Sequence, residues 1–331
     1  MKAQVINTFG SPSVFILTDL PIPKIKPGHV LIKVQATSVN PIDCKVRSGA
    51  LSTIAPEFPA VLHGDVSGIV ESVGEGVRQF KKGDAVFGCA GGFRGLGGAL
   101  AEYMLADARL IAIKPQSLSF AEAAALPLVS ITAWLALFKK AQLKRGMSVL
   151  ICGGTGGVGH IAVQLAKWCG AKVYTTVRKA DDFTTAKSLG ADEIINIQEE
   201  AVEKYKERLT QDRGFEVIFD TVGGDNLNNS FAVAAINGIV VTIAARSTND
   251  LTPMHNKGLS LHCVLMLLTL LGSEHRDEYG KILENIAKIV DEGKLKPLID
   301  AQHFTLNDVA KAHERLESGK ANGKIVISIN D

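Results

Sequence analysis

The sequence has few cysteines and no long apolar run, and both absences exclude classes of protein. Its 331 residues include five cysteines, an odd number, scattered at positions 44, 89, 152, 169 and 263. Without a disulfide framework or a Cys-x-x-Cys metal knuckle, reduced thiols in a cytoplasmic protein are expected. The longest nearly apolar stretch, residues 126–138, contains Ser130 and Thr132 and is shorter than the ~20 residues that a membrane span needs. No integral membrane segment is therefore expected, and the first five residues have neither a signal-type apolar core nor a transit-peptide composition.

An excess of charge of either sign is also missing. The chain carries 36 lysines and arginines against 34 acidic residues, a net charge of +2, and it has no basic block. Nucleic acid is therefore not an expected partner. Hydrophobic residues make up 46% of the chain and charged residues 21%, which is typical of a folded globular protein. A length of 331 residues exceeds one usual hydrophobic core and predicts two domains.

A glycine-rich run, residues 153–159, separates an apolar strand at 148–152 from a helical pattern at 161–168. Glycines at 154, 156 and 159 have the spacing of a dinucleotide fingerprint: a tight turn, close approach of the pyrophosphate, and close packing of helix on strand. A merely flexible glycine loop would not require strand, turn and helix in this order. Free amides at the helix N-terminus would hold the phosphates. The predicted cofactor-binding loop is Gly154, Thr155, Gly156, Gly157, Val158 and Gly159.

The end of the next strand, predicted for residues 172–177, bears on the choice of dinucleotide. NAD-binding proteins commonly carry an acidic residue there for the ribose hydroxyls, whereas this chain has Val177, Arg178 and Lys179. Two cations without a carboxylate favour the 2′-phosphate of NADPH, and the guanidinium fork suits phosphate well. The alternative is a solvated surface pair, whose field Asp181 and Asp182 would partly cancel.

Two kinds of pattern divide the chain. Residues 1 to about 125 are β-rich, with period-two alternation in which Val30, Ile32, Val34 and Ala36 share a face. From about residue 127 strands and helices alternate, which predicts a parallel sheet with helices on both faces. The strands are predicted at 149–152, 173–177, 193–195, 217–219 and 239–243, and a final one at 324–329; helices are predicted at 204–209, 226–235, 279–292 and 306–318.

Several segments, in order and spacing, resemble one family along the whole chain. They are residues 40–43 (Asn-Pro-Ile-Asp), 59–68, 123–127, 132–134, the glycine run, 189–192, 220–224 and 323–326. The sequence resembles the zinc-independent medium-chain dehydrogenase/reductases, in their quinone oxidoreductase branch. The resemblance implies an α/β protein with a GroES-like β-barrel catalytic domain at residues 1–126 and 266–331. A Rossmann domain with a doubly wound parallel sheet would occupy residues 127–265, and a homodimer is expected.

The same resemblance bears on the metal. Zinc-dependent relatives supply a cysteine, a histidine and a third residue to the catalytic ion. Here the first position falls on Asn40 or a close neighbour, the second on Gly64 and the third near Leu128. Cys89 stands alone where a four-cysteine structural lobe would be, so no zinc is expected. An unorthodox site, open if the alignment shifts by one residue, consists of Cys44, His63 and Asp65.

Without a Lewis acid, reduction of an electrophilic conjugated carbonyl is easier than oxidation of an alcohol. NADPH-dependent reduction of a quinone or enone is therefore expected. Asn40 and Asp43 are the candidate catalytic residues, although Asn40 could simply begin a turn and Asp43 could cap a short helix over 42–46. The resemblance places further residues at the cofactor: Asn40, Thr132, Val222, Gly223, Ala244, Ala245, Asn322 and Lys324. Thr132 could instead bond back to its helix, and Lys324 could be a solvated lysine.

Some departures from the family leave alternatives open. Ile197 stands where many quinone reductases have a tyrosine at the adenosine phosphate, and Asp182 where some have a lysine. A dedicated protein proton donor is not supported, because none of the tyrosines lies between Asn40 and Asp65. The rival functions are a zinc-free alcohol dehydrogenase or enoyl reductase and, in another class, a cofactor-binding scaffold or redox sensor with little turnover. The apolar segment 264–271 is expected to be buried helix, with a substrate pocket, a dimer interface and a membrane surface as alternatives.

Overall fold

The computed structural model describes residues 1–272 and 274–329, and the chain divides into two compact units. Unit 1 comprises Met1–Leu128 and Leu267–Asp331, so both chain ends build it, and unit 2 comprises Val129–Met266. Within the described residues, no helix is long and apolar enough to cross a membrane.

The structure contains strands in both units. They are β1 (Lys2–Ile6), β2 (Ile16–Asp19), β3 (His29–Val39), β4 (Ala60–Val61), β5 (Asp65–Val73), β6 (Ala85–Cys89), β7 (Tyr103–Asp107), β8 (Ile111–Ile113), β9 (Ser148–Cys152), β10 (Lys172–Val177), β11 (Glu193–Asn196), β12 (Phe215–Asp220), β13 (Ala234–Thr242), β14 (Ser260–Cys263), β15 (Phe304–Thr305) and β16 (Ile325–Ser328).

The helices connect these strands and cover the sheets. They are α1 (Pro41–Arg47), α2 (Phe120–Ala124), α3 (Pro127–Trp134), α4 (Gly159–Cys169), α5 (Asp182–Ser188), α6 (Val202–Thr210), α7 (Asn226–Val233), α8 (Thr252–Lys257), α9 (Leu267–Gly272), α10 (Arg276–Asp291) and α11 (Val309–Glu317). α3 continues as a π-helical segment, Leu135–Lys140, and short 3₁₀ turns occur at Pro12–Val14, Ser52–Ile54, Ala108–Leu110 and Leu306–Asp308.

Unit 1 contains a largely antiparallel sheet with the order β15-β16-β3-β5-β6-β8, in which β7 also pairs with β3. The four residues Val30, Ile32, Val34 and Ala36 of β3 are buried, as their alternation predicts. The last strand, β16, pairs antiparallel with β3 and sets Ile325 opposite Val39. This register brings Lys324 next to Asn40, although the two residues lie near opposite ends of the sequence.

Unit 2 contains a parallel sheet with the order β11-β10-β9-β12-β13-β14. The order reverses between β9 and β12, which is the doubly wound arrangement that the alternating pattern predicts. In such sheets ligands bind beyond the carboxyl ends of the strands at the reversal. The glycine run follows β9 directly, so it lies at this point.

Several predicted segments differ from the observed elements. The strand predicted at 239–243 begins five residues earlier, at Ala234, and the helix predicted at 279–292 begins three residues earlier, at Arg276. The helix predicted at 306–318 begins at Val309, after a 3₁₀ turn. The helix predicted to reach residue 235 ends at Val233, because Ala234 is extended and pairs with Phe215 as the start of β13. The apolar segment 264–271 is not one buried helix: Val264 is 6% exposed, whereas Leu268 in α9 is 68% exposed.

Candidate active site

The glycine run forms a tight turn between β9 and α4. Gly153 has the left-handed backbone, with φ +77°, and its amide donates to Thr176 Oγ1 at 3.0 Å. A Cβ on Gly154 would lie 2.0 Å from the Thr175 hydroxyl of β10, and a Cβ on Gly159 would lie 2.0 Å from the Gly153 carbonyl oxygen. Side chains are therefore excluded at Gly154 and Gly159 by close packing.

The outer part of this turn offers donors for an anion. Gly156 is exposed, and its amide donates to the Gly153 carbonyl at 3.0 Å. The amides of Thr155, Gly157 and Val158 make no hydrogen bond to other described residues. Such amides at a helix N-terminus are suited to phosphate oxygens.

The carboxyl end of β10 carries exposed cations. Val177 is 2% exposed, and Arg178 and Lys179 follow it on the surface before α5 begins at Asp182. Neither cation forms an ion pair within the described residues. Both therefore remain available to a negatively charged ligand.

The later strands of unit 2 end in loops that contact each other. Asp220 accepts the amides of Val222 and Gly223 through Oδ1, at 2.9 and 3.0 Å. Gly223 has φ +73°, and a Cβ there would lie 2.2 Å from the Ala244 carbonyl. Ala245 is exposed beside it. Elsewhere in unit 2, Thr132 is buried within α3.

In unit 1, the carboxylate of Asp65 is the centre of a buried polar cluster. Its Oδ2 accepts from Ser38 Oγ at 2.7 Å and from Asn40 Nδ2 at 2.9 Å, while Oδ1 accepts the Leu128 amide at 2.8 Å. Lys324 Nζ lies 3.5 Å from Oδ2. A carboxyl group that only accepts, and from four donors, is in its ionised form.

Lys324 is a buried member of this cluster and not a solvated lysine. Its side chain is 3% exposed, and its Nζ donates to Asn40 Oδ1 and, at 3.2 Å, to the Val39 carbonyl oxygen. With Asp65 these make three acceptors, which is what an ammonium group requires. Burial lowers the pKa of Lys324, and the negative charges of Asp65 and Asp43 oppose that shift. Asn322, two residues earlier, is exposed, and its amide donates to Asp300 at 2.8 Å.

Asp43 lies against the same cluster and caps α1. It is 1% exposed, and its Oδ2 accepts the Asn40 amide at 2.8 Å at the start of the helix. Burial, together with the negative charge of Asp65, raises the pKa of Asp43 to about 7. Since the charges of Asp65 and Lys324 balance, a neutral Asp43 leaves the cluster without net charge.

A second set of buried side chains lies behind Asp65. Thr37 Oγ1 lies 2.6 Å from the Asp65 carbonyl oxygen and 3.3 Å from His63 Nδ1, and His63 Nε2 lies 2.9 Å from His313 Nε2. His313 Nδ1 in turn lies 3.3 Å from Cys44 Sγ and 3.4 Å from Arg47 Nη1. His63 and His313 are both 0% exposed, so this series of hydrogen-bonded side chains is closed to solvent along most of its length.

The described residues at the zinc positions of unit 1 do not fit a catalytic zinc. A Cβ on Gly64, the position of the family's histidine ligand, would lie 3.0 Å from both Cys89 Sγ and the Gly91 carbonyl oxygen. Asp65 is already bound to an ammonium group and three hydrogen-bond donors. Across the described ranges, no three His, Cys, Asp or Glu side chains are grouped as metal ligands.

Asp65 and His313 have central positions that the sequence did not reveal. A buried position for His313 could have been inferred, because it follows Val309 by four residues and Ala312 by one on the apolar face of α11. The sequence offers Asp65 only as a member of the unorthodox metal site, because its partners come from distant segments: β3, the residue after β3, α3 and the residue before β16. The structure brings Asn40, Asp43 and Lys324 together around it.

Acid is expected to destabilise the protein through the two histidines. Burial lowers the pKa of His313 to about 3 and that of His63 well below 6.5, so below pH 6.5 only the unfolded chain protonates them. Each would lower the free energy of unfolding by about 1.4 kcal/mol per pH unit. Asp43 opposes this, because its pKa of about 7 lets the folded state hold a proton that the unfolded chain, near 3.8, has released.

Denaturant titrations at pH 6.5 and 5 would measure this balance. Asp43→Asn should steepen the loss of stability on acidification, and His313→Gln should make it shallower. Equal slopes in the wild type and both variants would contradict these assignments.

Comparison with known proteins identifies the family. A family model for the alcohol dehydrogenase GroES-like domain matches residues 26–116, and a model for zinc-binding dehydrogenases matches residues 189–327. A solved structure of an alcohol dehydrogenase superfamily protein from Novosphingobium aromaticivorans is 36% identical, with a TM-score of 0.95 and 100% of both chains covered. A quinone oxidoreductase structure from Pseudomonas syringae is 29% identical, with a TM-score of 0.88, covering 99% of this chain and 100% of that one.

Curated relatives indicate to which branch of the family the chain belongs. The 2-methylene-furan-3-one reductase of Solanum lycopersicum is 35% identical over 99% of this chain and 79% of its own length. The quinone oxidoreductase of Homo sapiens is 32% identical over 99% of this chain and 97% of its own. The chain is thus a nicotinamide-dependent oxidoreductase by family, and it belongs to the quinone oxidoreductase branch of the medium-chain dehydrogenase/reductases.

Proposed function

We propose that this protein uses NADPH to reduce a quinone or an α,β-unsaturated carbonyl compound, and that it does so without catalytic zinc. The observation that carries the proposal is the state of Asp65, whose carboxylate is bound to the Lys324 ammonium and three hydrogen-bond donors. The Lys324 ammonium already balances the negative charge of this carboxylate, so the carboxylate is not available as a metal ligand. The acceptor must therefore be electrophilic without a Lewis acid.

Unit 2 supports the cofactor part of the proposal. The amides of Thr155, Gly157 and Val158 would hold the pyrophosphate, and Gly156 leaves room for its approach. Arg178 and Lys179 would pair with the 2′-phosphate that distinguishes NADPH from NADH. Thr132 of α3 and the loops that contain Val222–Gly223 and Ala244–Ala245 would complete the proposed cofactor site.

In unit 1, the buried cluster would orient the polar groups that the reaction needs. NADPH supplies the hydride when bound. Asn40 is held at both ends of its amide, by Asp65 and by Lys324, so its side chain and backbone are fixed in place. Asp43 fixes the same residue through its backbone amide. A preorganised polar group of this kind can stabilise charge that develops on a carbonyl oxygen, at little cost of reorganisation.

The relatives suggest which acceptors to test. Two kinds of compound appear in the names of the relatives, a quinone and a methylene-furanone, and the latter contains a conjugated carbonyl. The experiment mixes purified protein with NADPH or NADH and a panel of quinones, alkenals and alkenones. Nicotinamide absorbance is followed with and without a chelator.

Chelator-insensitive turnover with NADPH is the expected result. Tight NADPH binding without turnover would favour the cofactor-binding scaffold or redox sensor, and loss of activity with chelator would contradict the zinc-free mechanism. Turnover confined to simple alcohols or enoyl thioesters would favour the rival enzyme classes. The proposal includes a cytoplasmic homodimer with its cysteines reduced; light scattering of the purified protein tests the dimer.

A further inference from the structure

His63 has a backbone conformation that a histidine rarely adopts. Its φ is +73°, in the left-handed region that favours glycine, and its ring is 0% exposed. A non-glycine residue held there requires compensation from its surroundings and is frequently part of a functional arrangement. This conformation indicates that the ring of His63 does more than fill space, and its hydrogen-bond partners indicate its role.

The hydrogen bonds around this ring have only one consistent direction. Thr37 has a single hydroxyl proton, and the Asp65 carbonyl oxygen can only accept it. Thr37 Oγ1 must then accept from His63, so His63 is protonated on Nδ1. With both rings neutral, His63 Nε2 accepts, and His313 donates to it from its own Nε2 at 2.9 Å.

The hydrogen bonds at the other end of this series of side chains also have one consistent direction. His313 Nδ1 has no proton, so it accepts from the Cys44 thiol and from Arg47 Nη1. Arg47 is 3% exposed and is held in turn by Glu317 through two hydrogen bonds, of 2.7 and 3.2 Å. A continuous series of donors thus runs from α1 and α11 through both histidines to the backbone of Asp65.

We propose that His63 and His313 are positioning residues that hold Asp65, and through it Asn40 and Lys324, in the geometry needed for reduction. The backbone of Asp65 is fixed by Thr37, and its side chain carries the cluster, so a shift in the histidine pair would move both. This inference rests on the proposed function for its catalytic readout. Its structural readout does not depend on that function.

Nitrogen NMR of the wild-type protein labelled with [¹⁵N]histidine tests the arrangement directly. Two-bond ¹H–¹⁵N correlations distinguish the tautomers, and the variants below assign the signals. We expect His63 protonated on Nδ1 and His313 on Nε2, both neutral at pH 7. The same tautomer on both rings, or a charged ring, would overturn the proposal.

Substitutions then test the positioning role. His313→Leu removes the donor to His63, whereas His313→Gln can donate through its amide nitrogen and accept through its oxygen. In the leucine variant we expect kcat to fall on the order of tenfold to a hundredfold, with the KM for NADPH little changed, and glutamine should restore much of it. His255→Leu, at an exposed site in α8, is the matched control and should leave kcat unchanged.

The protected ammonium signal of Lys324 separates failure of the proposal from failure of the function. If the wild type reduces no quinone or enone, the proposed function fails, but loss of this signal in His313→Leu would still support positioning. An unchanged Lys324 signal in His313→Leu, together with an unchanged kcat where turnover exists, would overturn the positioning role of the histidines. If His313→Leu does not fold, the glutamine variant and the wild-type tautomers decide.

Discussion

Asp65→Ala is expected to lower the free energy of unfolding by about 3–5 kcal/mol, the cost typical of breaking a buried ion pair from one side. The substitution leaves the Lys324 ammonium in a site where it is 3% exposed, without its charged partner. It also removes the acceptor of Ser38, Asn40 and the Leu128 amide. Urea titrations followed by circular dichroism measure the change.

Two controls show whether the buried pair is responsible. Glu71→Ala breaks an exposed ion pair with Lys82, of which the lysine is 71% exposed, and is expected to have no measurable effect. Adding Lys324→Met to Asp65→Ala removes the orphaned charge and should recover part of the stability. If Asp65→Ala is as stable as Glu71→Ala, the buried cluster does not have the charge state assigned here.

The second large expected effect is on the affinity for NADPH. Replacing Arg178 and Lys179 together by alanine is expected to raise the Kd for NADPH by roughly 10- to 100-fold, because hydrogen bonds to charged groups contribute about 1.5–3 kcal/mol. The Kd for NADH should change little, since it has no 2′-phosphate. Fluorescence of the bound nicotinamide, or calorimetry, gives both constants at one salt concentration.

A matched control removes the same amount of charge elsewhere. Lys24 and Lys26 are exposed residues of unit 1, and the double alanine variant changes the net charge equally. It should leave the ratio of the two Kd values as in the wild type. If the Arg178 and Lys179 variant weakens NADPH and NADH alike, these residues do not recognise the phosphate.

The parts of the fold that local patterns specify were predictable. The strands β9 to β13 and the turn after β9 follow from apolar runs, glycines and alternation within about 100 residues. The end of α7 was misplaced by two residues, because alanines at 234 and 235 favour a helix in isolation. Pairing of Ala234 with Phe215 overrides that preference, and no local signal reveals it.

The polar cluster shows what the sequence could not reveal. Asn40 is a candidate from the sequence alone, but its hydrogen bond from Lys324 joins residues 284 apart and depends on the pairing of β16 with β3. That register determines whether the lysine is solvated or buried. Likewise, the sequence allows His63 as a metal ligand, whereas in the structure its backbone has φ +73° and its ring contacts Thr37 and His313.

Transfer of deuterium tests the central claim most directly. The protein, treated with chelator, is incubated with an enone and NADPH that carries deuterium at both C4 positions, and the product is analysed by mass spectrometry. We predict a reduced product with one deuterium per molecule, formed at the same rate as without chelator. Reduced product without deuterium, or no product although NADPH binds, would contradict the account.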